Sequence, residues 1–236
     1  MKNPIIAALD VPDLETAVGL AGQLKSCVGA FKIGSELFTS AGPEVVRRIR
    51  ALGSPVFLDL KFYDIPNTVA KAVAAAVRLD VQMLTLHVSG GSEMLKAADE
   101  SARETARSLG RKPPLLLGVT VLTSFDNNEL NEVGVHFDVA RQVERLANIA
   151  VRCGLGGLVC SPLEVAGLRQ FLPSEMQLVT PGVRASGAGT NDQKRVLAPH
   201  EALAAGANWL VVGRPIYTAV NPVAAVEEIL ATLPRF

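Results

Sequence analysis

Eight short aliphatic runs recur along the chain, each followed by an amphipathic segment, and this alternation restricts the fold more than any other feature. The runs are Ile5 to Asp10, Ala30 to Gly34, Val56 to Lys61, Met83 to Val88, Leu115 to Leu122, Gly157 to Cys160, Gln177 to Thr180 and Trp209 to Gly213. Between them, Leu14, Ala17, Val18, Ala21 and Leu24 follow helical spacing, as do Val69, Val73 and Val77, and Val139, Val143 and Ala147. Pro12, Pro66, Pro162 and Pro215 stand near expected helix starts, where a missing N–H costs no helical bond. Unbroken β-α alternation calls for a parallel sheet covered by helices, and eight units in 236 residues fit a closed (β/α)8 TIM barrel. An open doubly wound sheet is the competitor. It would carry fewer strands at this length, and no G-x-G-x-x-G follows the first run. No linker or low-complexity segment divides the chain, so residues 1–236 are expected to form a single α/β domain.

Composition narrows the function classes. Lys plus Arg and Asp plus Glu both total 23, which argues against bulk electrostatic binding of nucleic acid or of an anionic membrane. Polar residues interrupt every apolar stretch before the ~18 residues that a membrane span needs. The start, MKNPIIAALD, lacks the long apolar segment of a signal peptide. Cys27, Cys153 and Cys160 are odd in number and lack CxxC spacing, which suits reduced core residues and a cytoplasmic location. His87, His136 and His200 form no metal-binding pattern.

Strand alternation places the unusual residues. Ile5, Ala7 and Leu9 are expected to face the helices, as are Phe31 and Ile33, then Val56, Leu58 and Leu60, and finally Leu84, Leu86 and Val88. That leaves Asp10, Lys32, Asp59, Lys61, Thr85 and His87 pointing inward, most of them near the C-terminal rim, and Asp64 follows in the next turn. One Asp–Lys pair is readily explained as a plug for the barrel. A cluster drawn from three neighbouring strands is better explained by chemistry, because each buried ion carries a desolvation penalty of several kcal/mol and the C-terminal rim is where barrels build active sites. TPGVR (180–184) and VGRPIY (212–217) follow the seventh and eighth strands, where barrels often bind phosphate; Gly213 permits close backbone approach and Arg214 supplies a forked charge. Residues 185–196 are small and polar enough for a lid over a bound ligand.

DLKFYDIPNTV (59–69) resembles the signature D-x-K-x-x-D-I-P-x-T of the orotidine 5′-monophosphate decarboxylase family. IAALDVP, FKIG, GVTVLTS, TPGVR, NDQKRV and VGRPI are also similar to bacterial members and occur in the expected order. The resemblance implies conversion of orotidylate to UMP and CO2, the last step of UMP synthesis, with no cofactor and no metal. It implies Lys61 as the proton donor, with Asp59, Lys32 and Asp64 completing a charged array. Asp10 and Lys32 would contact the ribose, Thr123 the pyrimidine, and Arg184, Gln193, Gly213 and Arg214 the 5′-phosphate. Asp64 and Thr68 would reach the site of a partner subunit, making a homodimer the working unit, and Ile65 joins the substrate-contacting set. His87 is assigned structural support only.

The chemistry suits such residues. Loss of CO2 from C6 leaves an in-plane sp2 electron pair that the ring carbonyls do not delocalise, so electrostatic stabilisation and prompt protonation are required. An ammonium serves both needs. Asp59 would position Lys61 and Lys32, and a ground-state contribution from its charge near the substrate carboxylate is a contested addition. Two rivals stand beside this reading. In 3-keto-L-gulonate 6-phosphate decarboxylase and hexulose-phosphate synthase, related barrels, Mg2+ needs acidic ligands, whereas Lys32 stands where they carry an acid. A non-catalytic nucleotide binder would be expected to have lost part of the charged array.

Overall fold

The computed structural model describes residues 3–183 and 197–234. Its strands are β1 Ile5–Ala8, β2 Ala30–Gly34, β3 Val56–Phe62, β4 Met83–His87, β5 Leu115–Val119, β6 Gly157–Val159, β7 Gln177–Thr180 and β8 Trp209–Val212. The helices are α1 Leu14–Leu24, α2 Ser35–Ala41, α3 Glu44–Ala51, α4 Pro66–Arg78, α5 Gly91–Ser108, α6 Asn127–Glu132, α7 Val139–Arg152, α8 Val165–Arg169, α9 Pro199–Ala204, α10 Arg214–Tyr217 and α11 Pro222–Thr232. Each strand pairs in parallel with the next, and β8 returns to β1, with Ile6 opposite Val211, so the sheet closes into an eight-stranded barrel. No described helix is long and apolar enough to cross a membrane.

Period-two alternation produces two apolar layers. Ile5, Ala7, Leu9, Phe31, Ile33, Val56, Leu58, Leu84 and Leu86 belong to the layer beneath the helices, as the alternation requires. The opposite faces contribute Ile6, Ala8, Ala30, Phe57, Met83, Leu117, Val179, Trp209 and Val211 to a second cluster filling the barrel. Burying one such large side chain is worth about 1.5–3 kcal/mol, against at most about 1 kcal/mol for a typical exposed ion pair. The aliphatic layers hold the fold, and the charges at the mouth are free to serve another purpose.

The apolar runs extend further than the strands. β1 ends at Ala8, so Asp10 lies beyond the ladder, and β5 ends at Val119 although the apolar run continues to Leu122. Val121 and Leu122 line a cavity above the barrel instead. Asp13, following Pro12, caps α1 by accepting the Thr16 amide at 2.8 Å.

The third strand carries the main irregularity. Leu58 is opposite Leu84 and Phe62 opposite Leu86, so four residues along β3 span only two along β4. Lys61 takes up the excess at φ 48°, a left-handed conformation uncommon outside glycine.

Candidate active site

A cavity of about 590 Å3 opens at the C-terminal end of the barrel. Asp10, Lys32, Asp59, Lys61, Thr123, Gly213 and Arg214 all line it, and Phe57, Val159 and Val211 contribute an apolar floor and wall. Lys32 Nζ donates to Asp10 Oδ1 at 2.8 Å, and Lys61 Nζ reaches Asp59 Oδ1 at 3.0 Å and Oδ2 at 2.9 Å. Each pair has one sheltered and one more open member: side-chain exposure is 11% for Lys32 and 42% for Asp10, and 12% for Asp59 and 35% for Lys61. The cavity therefore presents an ammonium and a carboxylate on both sides of the β2–β3 seam. Gly34 leaves room for the first pair, because a Cβ there would stand 3.0 Å from Lys32 Nζ.

The turn after β7 also faces the cavity through Pro181, Gly182 and Val183. Gly182 has φ 77°, so this turn needs glycine for its backbone shape. After β8, Gly213 precedes α10 and Arg214 is its first residue. The expected phosphate residues Arg184 and Gln193, and the expected lid 185–196, lie outside the described residues.

Asp64, Ile65 and Thr68 do not line this chain's own cavity. All three are exposed, and Asp64 Oδ1 accepts the Ile65 amide at 2.6 Å. Tyr63 and Ile65 are 63% and 65% exposed, which makes this segment an apolar surface beside the mouth.

Sequence alternation missed the role of Thr85, whose hydroxyl contacts both Asp59 and Lys61. The inward placement of Thr85 was legible, but nothing in a strand pattern reveals which inward hydroxyls meet charged partners. Ser124 and Tyr217 line the cavity too, within the GVTVLTS and VGRPIY segments.

His87, at the end of β4, is half-buried with its ring 5.7 Å from that of Tyr63. Burial pushes its pKa below the usual 6.5, and Lys61 pushes it the same way, against an opposing pull from Asp59. The unfolded chain therefore takes up this proton first, so the contribution of His87 to stability is complete above pH 6.5 and declines as pH falls toward the folded pKa. Thermal midpoints compared at pH 7.5 and about pH 5.5 should fall more for the wild type than for His87→Gln. An equal fall in the two proteins would contradict this.

The family described as Orotidine 5'-phosphate decarboxylase / HUMPS has a sequence model that matches residues 3–229. The chain belongs to this family. It is 49% identical over 233 residues to the orotidine 5′-phosphate decarboxylase of Moorella thermoacetica, covering 98% of this chain and 92% of that one. To the protein of the same name from Opitutus terrae it is 51% identical over 233 residues, covering 99% of each. Among solved structures, orotidine 5′-phosphate decarboxylase from Lactobacillus acidophilus superposes with a TM-score of 0.86 at 36% identity, over 98% of both chains. Membership in the Orotidine 5'-phosphate decarboxylase / HUMPS family thus extends over nearly the full length, including every strand that carries the cavity.

Proposed function

We propose that this chain decarboxylates orotidine 5′-monophosphate to UMP and CO2, the last step of UMP synthesis, with Lys61 as the proton donor to C6. The observation that carries the reading is the Lys61–Asp59 pair, at 2.9–3.0 Å, lining the cavity beside the Lys32–Asp10 pair. Fission of the C6–carboxylate bond leaves its electron pair on C6 and releases neutral CO2. The pair then takes a proton from Lys61 Nζ, and the resulting amine recovers a proton from solvent. A fixed ammonium lowers the energy of the carbanion without any reorganisation at the moment of reaction. Asp59, sheltered and held by the same ammonium, orients it and faces the departing carboxylate.

Remote groups supply binding energy. Asp10 and Lys32 are assigned to the ribose hydroxyls, Thr123 to the pyrimidine, and Gly213 and Arg214, with Arg184 and Gln193, to the 5′-phosphate. Asp64, Ile65 and Thr68 are assigned to the site of a second copy, so the working unit is a homodimer. Their exposure, together with the apolar Tyr63 and Ile65 surface, supports an interface at that segment. Cys27, Cys153 and Cys160 are not joined in disulfides, which suits a reducing, cytoplasmic compartment.

A Mg2+-dependent reaction on a sugar phosphate is the second reading within this family. Lys32 disfavours it, because its ammonium, 2.8 Å from Asp10, would repel a divalent cation there. The deciding experiment offers orotidylate to EDTA-treated protein and follows UMP and CO2 release. Undiminished turnover is expected. Turnover that requires added Mg2+ overturns the cofactor-free reading, and tight binding of 6-aza-UMP without any product would mark a binding protein.

A further inference from the structure

Thr85 is fully buried in the middle of β4, a position where an aliphatic side chain would satisfy burial equally well. Its hydroxyl is engaged from two directions. The oxygen accepts the Lys61 backbone N–H at 2.9 Å, and the proton goes to Asp59 Oδ1 at 3.0 Å. Two other buried threonines, Thr120 and Thr180, instead donate to the main-chain carbonyls of Val159 and Trp209. Among these three, Thr85 alone joins a charged side chain to the backbone of its ion-pair partner.

The irregular register explains the need for it. Between the Leu58–Leu84 and Phe62–Leu86 pairings, β3 carries more residues than β4 offers partners. The Lys61 amide meets a side-chain acceptor there, and Lys61 holds φ 48°. A buried N–H without an acceptor is strongly disfavoured, so the hydroxyl that receives this amide also favours the left-handed turn. The same hydroxyl, through its single proton, selects the orientation of the Asp59 carboxylate, whose two oxygens then receive Lys61 Nζ.

We propose that Thr85 is a positioning residue for decarboxylation: its hydroxyl fixes both ends of the Asp59–Lys61 pair, the carboxylate by donation and the lysine main chain by acceptance. Thr85 does not line the cavity, so it acts through these two residues and not on substrate. The proposal rests on the roles given above to Asp59 and Lys61.

Thr85→Val keeps shape and removes the hydroxyl, whereas Thr85→Ser keeps the hydroxyl and removes a methyl group. The expected result is a kcat about 100-fold lower for the valine protein, the scale of a small misplacement of reacting groups. KM for orotidylate and affinity for UMP should stay within about threefold, because remote binding is untouched. The serine protein should keep most of the wild-type kcat. Wild-type kcat in Thr85→Val, an equal loss in Thr85→Ser, or a loss matched by weaker UMP binding each overturns the positioning role. Should the valine protein fail to fold, Thr85→Ala read against Thr85→Ser makes the same comparison. Lys61→Ala assayed alongside separates the two levels: turnover in that variant defeats the underlying assignment, whereas its absence combined with wild-type kcat in Thr85→Val defeats the positioning role alone.

Discussion

Lys61→Ala is expected to lose kcat on the order of 10⁵-fold while still binding UMP within about tenfold of wild type. The variant removes together the positive charge and the proton source that the proposed mechanism assigns to the carbanion. UMP carries no C6 carboxylate, and the phosphate, ribose and ring contacts assigned to Arg214, Asp10 and Thr123 all remain. Lys61→Arg separates the two contributions. Guanidinium keeps the charge but does not release a proton in a protein, so a protein that only needed charge would recover with arginine. Little recovery is expected. Rates of CO2 release and a UMP titration measure both quantities, and substantial decarboxylation by Lys61→Ala would remove the lysine from its assigned role.

The second large effect is complementation between inactive chains. Lys61→Ala and Asp64→Ala are each expected to be nearly inactive alone. In a mixed dimer with shared sites, one cavity receives a native Lys61 from one chain and a native Asp64 from the other, while the second cavity lacks both. Random exchange of equal amounts should restore about a quarter of wild-type activity, the fraction that two-fold symmetry dictates. Asp64 is exposed, does not line its own cavity and accepts the Ile65 amide, which is why the exchange should work. Activity unchanged on mixing, under conditions where subunit exchange is demonstrated, would return Asp64 to a surface role.

Much of the barrel was legible from alternation alone. Phe31 and Ile33 against Lys32, and Leu58 against Phe57 and Asp59, fall on the faces that a two-residue period requires. The ends of the strands were not legible. Val121 and Leu122 are as apolar as residues in the ladder, yet they line the cavity, and hydrophobicity does not distinguish the two surroundings. The Asp10–Lys32 and Asp59–Lys61 clusters were legible because four inward charges on adjacent strands are costly without a task. The left-handed turn at Lys61 and the double engagement of Thr85 were hidden, since both depend on how two strands are offset and neither disturbs the pattern along one strand. For Asp64 and Thr68, family resemblance alone supplied a role, because a residue assigned to another copy's site looks like any exposed residue in its own chain.

The surplus in β3 has a consequence of parity. Two additional residues relative to β4 leave every side chain on its original side, so Asp59 and Lys61 share the interior despite the irregularity. In a regular ladder without such an irregularity, a one-residue slip would turn everything after it to the other face, presenting the ammonium to the aliphatic helices and Phe62 to the cavity. The irregular segment thus acts as a spacer that lengthens β3 against β4 while keeping the charged pair turned toward the cavity.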